Sequence, residues 1–161
     1  MAELQPLILG EFPRRLDERY RLSIPGELTE MLLGKSADCI LAKERPGCLS
    51  LWSAERWQAR LDEAVALVER KMQAGKLAGR VAQVQLLGRL LSTRHKAVQL
   101  AGRGRLLIPE GFREFLGVEP GGEVLVVGAA VCIEMWSPSA WLAYLQARMP
   151  RFGRLLERLS G

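Results

Sequence analysis

Apolar and polar side chains alternate over two short stretches, and both stretches end in proline. In Arg21-Leu22-Ser23-Ile24-Pro25 the period is two, the pattern of a half-buried strand. Leu22 and Ile24 take the core side, so Arg21 and Ser23 face outward. Arg105-Leu106-Leu107-Ile108-Pro109 repeats the plan 84 residues later. Each proline suits the first turn of a helix, where a fixed φ and a missing N–H do no harm. Gly26 to Leu33 is predicted helical and closed by Gly34; the helix after Pro109 is stopped by Gly117. Leu7–Gly10 with Phe12–Leu16, and Ala97–Leu100, are the strands leading in, through turns at Asp17–Tyr20 and Ala101–Gly104. Cys39–Lys43 and Cys48–Trp52 flank an Arg45-Pro46-Gly47 turn. Glu123–Gly128 and Val131–Trp136, after the Pro120-Gly121-Gly122 turn, are their counterparts.

A longer period follows each strand pair. Ser53 is an N-cap, and Trp57, Leu61, Val65, Val68 and Met72 recur at spacings of three and four, a helical stripe read here as core. Gly75 and Gly79 end that helix, and Val81, Val84, Leu87, Leu90 and Leu91 predict a second. Ser137-Pro138 starts another, lined by Trp141, Leu145 and Met149 and predicted to be interrupted by Pro150 and Gly153. Phe152, Leu155, Leu156 and Leu159 form a last stripe, packed either on the chain's own core or on a neighbouring subunit.

The 84-residue offset runs without a gap from Leu16–Leu61 to Leu100–Leu145, with 15 identities in 46 pairs. Two copies are too few for a solenoid, which needs about three. Each half, of roughly 50 residues, is marginal for a core of its own. The expectation is a duplicated half-domain paired about a pseudo-two-fold axis. Its parts are a first repeat at 11–56, a helical connector at 57–94, a second repeat at 95–140 and a helical tail at 141–161.

Hydrophobic content of 48% and charged content of 25% suit a globular chain. No apolar run reaches the ~18 residues of a spanning helix, and no signal peptide is visible, so a cytoplasmic location is expected. Three cysteines without Cys-x-x-Cys spacing exclude the usual zinc patterns. Cys48 and Cys132, equivalent by the offset, read as small buried apolar residues without a disulfide. Net charge is +5, but Arg70 to Arg105 carries nine cations and no acid. Arg14, Arg15, Arg19 and Arg21 crowd the first motif. Cations gathered on a repeated strand element point to a polyanion, nucleic acid before membrane. Catalysis has little support: His95, the single histidine, lies between Arg94 and Lys96 and reads as solvated or as a phosphate contact. Walker spacing is absent. No metal or cofactor is expected.

The two motif copies, Leu16-Asp17-Glu18-Arg19-Tyr20-Arg21-Leu22-Ser23-Ile24-Pro25 and Leu100-Ala101-Gly102-Arg103-Gly104-Arg105-Leu106-Leu107-Ile108-Pro109, resemble the Asp-x-x-Gly-Arg signature of AbrB-like swapped-hairpin barrels. Their duplication in a chain of this length, the Trp-Ser helix starts and Leu86-Leu87-Gly88-Arg89 resemble the MraZ family. The resemblance implies an α+β fold, a duplicated swapped-hairpin β-barrel with pseudo-two-fold symmetry and peripheral helices, and subunits closed into a ring-like homo-oligomer. It further implies a nucleoid-associated transcriptional regulator of the division and cell-wall gene cluster, binding short direct repeats in double-stranded DNA upstream of its own operon. The residues it assigns to DNA are Arg21 and Arg105, joined by the basic residues Arg19, Arg103, Arg14, Arg15, Arg94 and Lys96. A ring scaffold or antitoxin-like interaction module is the alternative. The halves depart from the signature in complementary ways. The first keeps Asp17 but has Tyr20 for glycine; the second keeps Gly104 but has Ala101 for aspartate. Positive φ is harder for tyrosine than for glycine, so the two hairpins are expected to differ, with Arg105 contributing more to DNA binding than Arg21.

Overall fold

The computed structural model describes residues 6–34 and 36–161. Strand β1 (Ile8–Arg15) turns into β2 (Arg21–Ser23), followed by helix α1 (Gly26–Leu33), β3 (Asp38–Arg45), β4 (Cys48–Ser53) and α2 (Ala54–Gln73). After α3 (Val81–Thr93), the plan recurs as β5 (His95–Gln99), β6 (Arg105–Leu107), α4 (Glu110–Leu116), β7 (Glu123–Ala130), β8 (Ile133–Trp136) and α5 (Pro138–Ser160). The chain is α+β. Its strands form an antiparallel six-stranded sheet, β1-β7-β8-β4-β3-β5, and a separate two-stranded ribbon, β2-β6. The sheet is open: β1 and β5 are its edges, and each runs through a turn into the ribbon. A closed barrel would need a ladder between sheet and ribbon; instead β2 and β6, three residues each, pair with one another, and the outward backbone groups of Arg21 and Arg105 bond to their own turns.

Each half lends its first strand to the other, β1 pairing with β7 and β5 with β3. The two remaining strand pairings between halves, β2·β6 and β4·β8, include residues 84 apart, Leu22 opposite Leu106 and Ser50 opposite Glu134. A pseudo-two-fold axis therefore passes through both pairs. The gapless repeat of the sequence does not survive intact. A bulge between Lys43 and Arg45 shifts β3 by one residue, so Leu41 opposes Leu51, whereas Leu125 opposes Trp136. The pseudo-two-fold equivalent of Leu41 is thus Val126, and both are buried.

The sheet's inner face and the ribbon share one core. Leu22, Ile24, Leu106 and Ile108 pack with Leu16, Leu41, Leu49, Leu51, Val124, Val126, Ile133 and Met135, while α1 and α4 add Leu28, Phe112 and Leu116. Ser53 and Ser137 cap α2 and α5 as predicted, their hydroxyls accepting from the N–H of Arg56 and Ala140 at 3.2 and 3.4 Å. The first turns of these helices bring Trp57, and Trp141 with Tyr144, onto Trp52 and Trp136 of the sheet's outer face. Beyond those turns both helices leave the core. Val65 and Met72 of α2 are exposed, which overturns the reading of that stripe as core. Pro150 and Gly153 do not interrupt α5, which runs through both, and Phe152, Leu155, Leu156 and Leu159 lie exposed rather than on their own core. No described helix is long and apolar enough to cross a membrane. Cys39, Cys48 and Cys132 are buried free thiols; burial raises all three, to about 11 for Cys39 and about 12 for Cys132.

Candidate nucleic-acid interface

The β2·β6 ribbon has one buried and one outward face. Leu22 and Leu106 at its centre are fully buried, which turns the residues on either side of them outward. Arg21 stands opposite Leu107, and Ser23 opposite Arg105, so the two motif arginines lie diagonally across the pseudo-two-fold axis. The turn before each arginine differs. In the first, Asp17 Oδ1 accepts from the N–H groups of Arg19 and Arg21, both at 2.8 Å, and Oδ2 lies 3.2 Å from Arg21 Nε. The Arg21 N–H holds the Asp17 carboxyl below its ordinary value; desolvation opposes this, while the Arg19 N–H and the Arg21 guanidinium add to it. Asp17 therefore fixes both the turn and the direction of Arg21.

The second turn has no side chain to do this. Ala101 contributes backbone groups alone: its carbonyl accepts from Gly104 and Arg105 at 3.1 and 3.3 Å, and its N–H donates to the Arg105 carbonyl at 2.9 Å. Arg103 and Gly104 both have positive φ, 64° and 71°. Arg105 is exposed and forms no ion pair among the described residues. A Cβ at Gly104 would meet the Ile24 carbonyl oxygen at 2.8 Å. Tyr20, at the equivalent position, adopts φ 60° nonetheless. Its ring lies under the Arg113 guanidinium at 4.1 Å, and Arg113 Nε donates to the Ile108 carbonyl at 2.9 Å. Backbone bonds from Ile108 to Tyr20 and from Ile24 to Gly104, both 2.9 Å, lock the ribbon ends alike. The left-handed geometry is kept in both halves, with a tyrosine held by Arg113 in one and a glycine in the other.

Arg19 and Arg103 are exposed on the two turns. Arg15 is exposed at the end of β1 opposite Glu123, and Arg14, half-buried, leans on Phe12 at 5.8 Å and bonds the Pro13 carbonyl. Lys96 is exposed on the sheet edge β5. Arg94 departs from its predicted role. Its Nη1 donates to the Lys43 carbonyl at 3.1 Å and lies 3.8 Å from Glu44, and its guanidinium sits 5.0 Å from the Trp57 ring centroid. These contacts turn Arg94 inward as a brace between β3 and α2. His95 is half-buried rather than fully solvated: its ring lies 5.0 Å from that of Trp57, and its Nδ1 is enclosed without a hydrogen-bond partner among the described residues. The cation run from Arg70 to Arg105 spans α2, the link to α3, α3, β5, the second turn and the ribbon. Sequence reasoning missed Arg113 and Leu107. Leu107 could have been found by carrying the period-two rule across the second copy; Arg113 acts across the chain and left no local signal.

Two tight turns and a ribbon with arginines on its outer diagonal, carried on an α+β frame, define a fold built around one pseudo-symmetric, largely polar ribbon face. A family model described as "MraZ protein, putative antitoxin-like" matches residues 93–158. Curated relatives named "Transcriptional regulator MraZ" include one from Syntrophomonas wolfei, 26% identical over 95% of this chain and 96% of its own. Another, from Heliobacterium modesticaldum, is 28% identical over 95% and 96%, and one from Alkaliphilus metalliredigens is 29% identical over 86% of each. Over nearly its whole length the chain is similar to these MraZ regulators, and residues 93–158 match the family model.

Proposed function

We propose that this protein is a transcriptional regulator that binds duplex DNA through the outer face of the β2·β6 ribbon. The observation that carries the reading is the outward diagonal of Arg21 and Arg105 on a ribbon whose other face is locked into the core. A B-DNA major groove admits a two-stranded ribbon, and an arginine fork reads guanine there. Arg19 and Arg103 on the turns, with Arg14, Arg15 and Lys96 on the strands leading in, supply phosphate contacts that set register rather than sequence. Arg94 is left out of this set because its guanidinium is engaged by Glu44, Lys43 and Trp57. The pairing of β1 with β7 and β5 with β3 is, in this reading, the hairpin exchange of AbrB-like barrels. The exposed apolar faces of α2, α3 and α5 are contacts between subunits of a ring, which would gain avidity on short direct repeats upstream of its own division and cell-wall operon.

A titration of the full-length protein against that upstream duplex and against a scrambled duplex, at several salt concentrations, tests the proposal. Log affinity should fall with log salt by roughly 0.9 for each phosphate engaged, with the upstream duplex bound more tightly. No binding at low salt would refute it. That outcome would favour the second reading, a scaffold or antitoxin-like module, for which the exposed helix faces and the family description speak.

A further inference from the structure

Within the DNA-binding reading, on which this inference rests, the ribbon's outer face consists of Arg21, Ser23, Arg105 and Leu107. Three are polar or charged. Leu107 is 52% exposed and sits directly across the ribbon from Arg21. An isolated exposed leucine is ordinary and by itself says nothing. Its neighbour gives it meaning. Asp17 holds Arg21 through Nε, which leaves the terminal guanidinium nitrogens without a partner among the described residues. Guanine offers that fork two acceptors in the major groove, and the apolar feature of the same groove is the thymine 5-methyl group. Flanking cations draw the duplex to this face.

We propose that Leu107 is a specificity-determining residue that packs against the 5-methyl of a thymine beside the base read by Arg21. The two-fold equivalent of Leu107 is Ser23, which has no apolar end. The arginines are related by the pseudo-two-fold axis, but Leu107 and Asp17 are not matched by Ser23 and Ala101. The face therefore has a direction on DNA, as a protein bound to direct repeats requires; a symmetric ribbon would read both orientations alike.

The test replaces each thymine of the operator, one at a time, by uracil, which lacks only the methyl. Affinities of the full-length protein and of Leu107→Ser and Leu107→Ala are then measured by titration. One uracil position is expected to weaken the unmodified protein about fourfold, the transfer value of one buried methyl-sized group, and to leave both variants unaffected. Leu107 is exposed, so both variants should melt with the parent protein. Unchanged binding at every uracil position, or an undiminished uracil effect in the variants, would overturn the assignment. A change in sedimentation of the variants without any methyl effect would also overturn it and give Leu107 to a protein contact. If upstream and scrambled duplexes bind alike, sequence readout by the ribbon falls and Leu107 with it, while duplex binding stands. Retained operator preference with no methyl effect removes Leu107 alone.

Discussion

Leu22 and Leu106 face each other at the centre of the ribbon and are fully buried over the sheet. Cutting either to alanine should leave a cavity between ribbon and sheet without touching the outward arginines. A buried leucine cut to alanine costs about 2–5 kcal/mol, the lost transfer energy plus the cavity. Against a typical total of about 5–15 kcal/mol, that leaves a folded but weakened protein. For a chain of this size the melting temperature should fall about 4–20 °C, at about 2–4 °C per kcal/mol. The pseudo-two-fold axis adds a sharper demand: Leu22→Ala and Leu106→Ala should cost the same to within about 1 kcal/mol, since each removes the same knob from equivalent surroundings. The paired double variant should not be additive, because the residues touch one cavity. Urea denaturation gives the free energies, and hydrogen exchange of the Leu22 and Leu106 amides reports whether the ribbon opens first. A loss below about 1 kcal/mol at either site would show that the ribbon does not depend on this packing, and strongly unequal losses would break the symmetry argument.

Gly104→Ala should destabilise, since φ is 71° and the new methyl would meet the Ile24 carbonyl at 2.8 Å. Gly153→Ala, inside α5 with open space around it, should stabilise by up to about 1 kcal/mol; urea midpoints of the two variants should move in opposite directions. Burial raises the Glu134 carboxyl above its usual 4.5; the Trp136 indole N–H bonded to it works against this, and the Glu44 charge adds to it. A raised carboxyl favours the proton in the folded state, so its ionisation destabilises as pH rises from 4.5 through the folded value. Glu134→Gln should therefore melt above the parent protein at neutral pH, and the difference should shrink on acidification; a gap independent of pH would refute this. The three thiols, raised by burial, should resist a thiol reagent at mildly alkaline pH until denaturant is added. Labelling in the native state would contradict their burial.

Local rules carried the sequence reading as far as local causes reach. The alternation at Leu22 and Ile24 placed the arginines outward, and Ser53 and Ser137 capped their helices; positive φ, harder for tyrosine than for glycine, is kept at Tyr20 all the same. What failed depended on distant partners. A stripe such as Trp57 to Met72 says that a helix has an apolar face, not what covers it, and beyond Trp57 the chain's own core does not. The bulge at Glu44 hides from a gapless alignment because the compensating length lies in the links before β3 and β7. Pro150 read as a breaker, yet one missing N–H is tolerated within the 23 residues of α5. Arg94 looked like one more cation of a basic run, and only the fold brought Glu44, Lys43 and Trp57 around it.

The exchange of first strands has a consequence for synthesis. The partners of Ile8 and Arg15 are Ala130 and Glu123, so between 108 and 122 residues must be translated after β1 before it can pair. At about 5–20 residues per second, β1 waits roughly 5–25 s on the ribosome with its edge open. The first half cannot finish folding ahead of the second, and the nascent chain is exposed to misassembly with its neighbours on a polysome until β7 emerges.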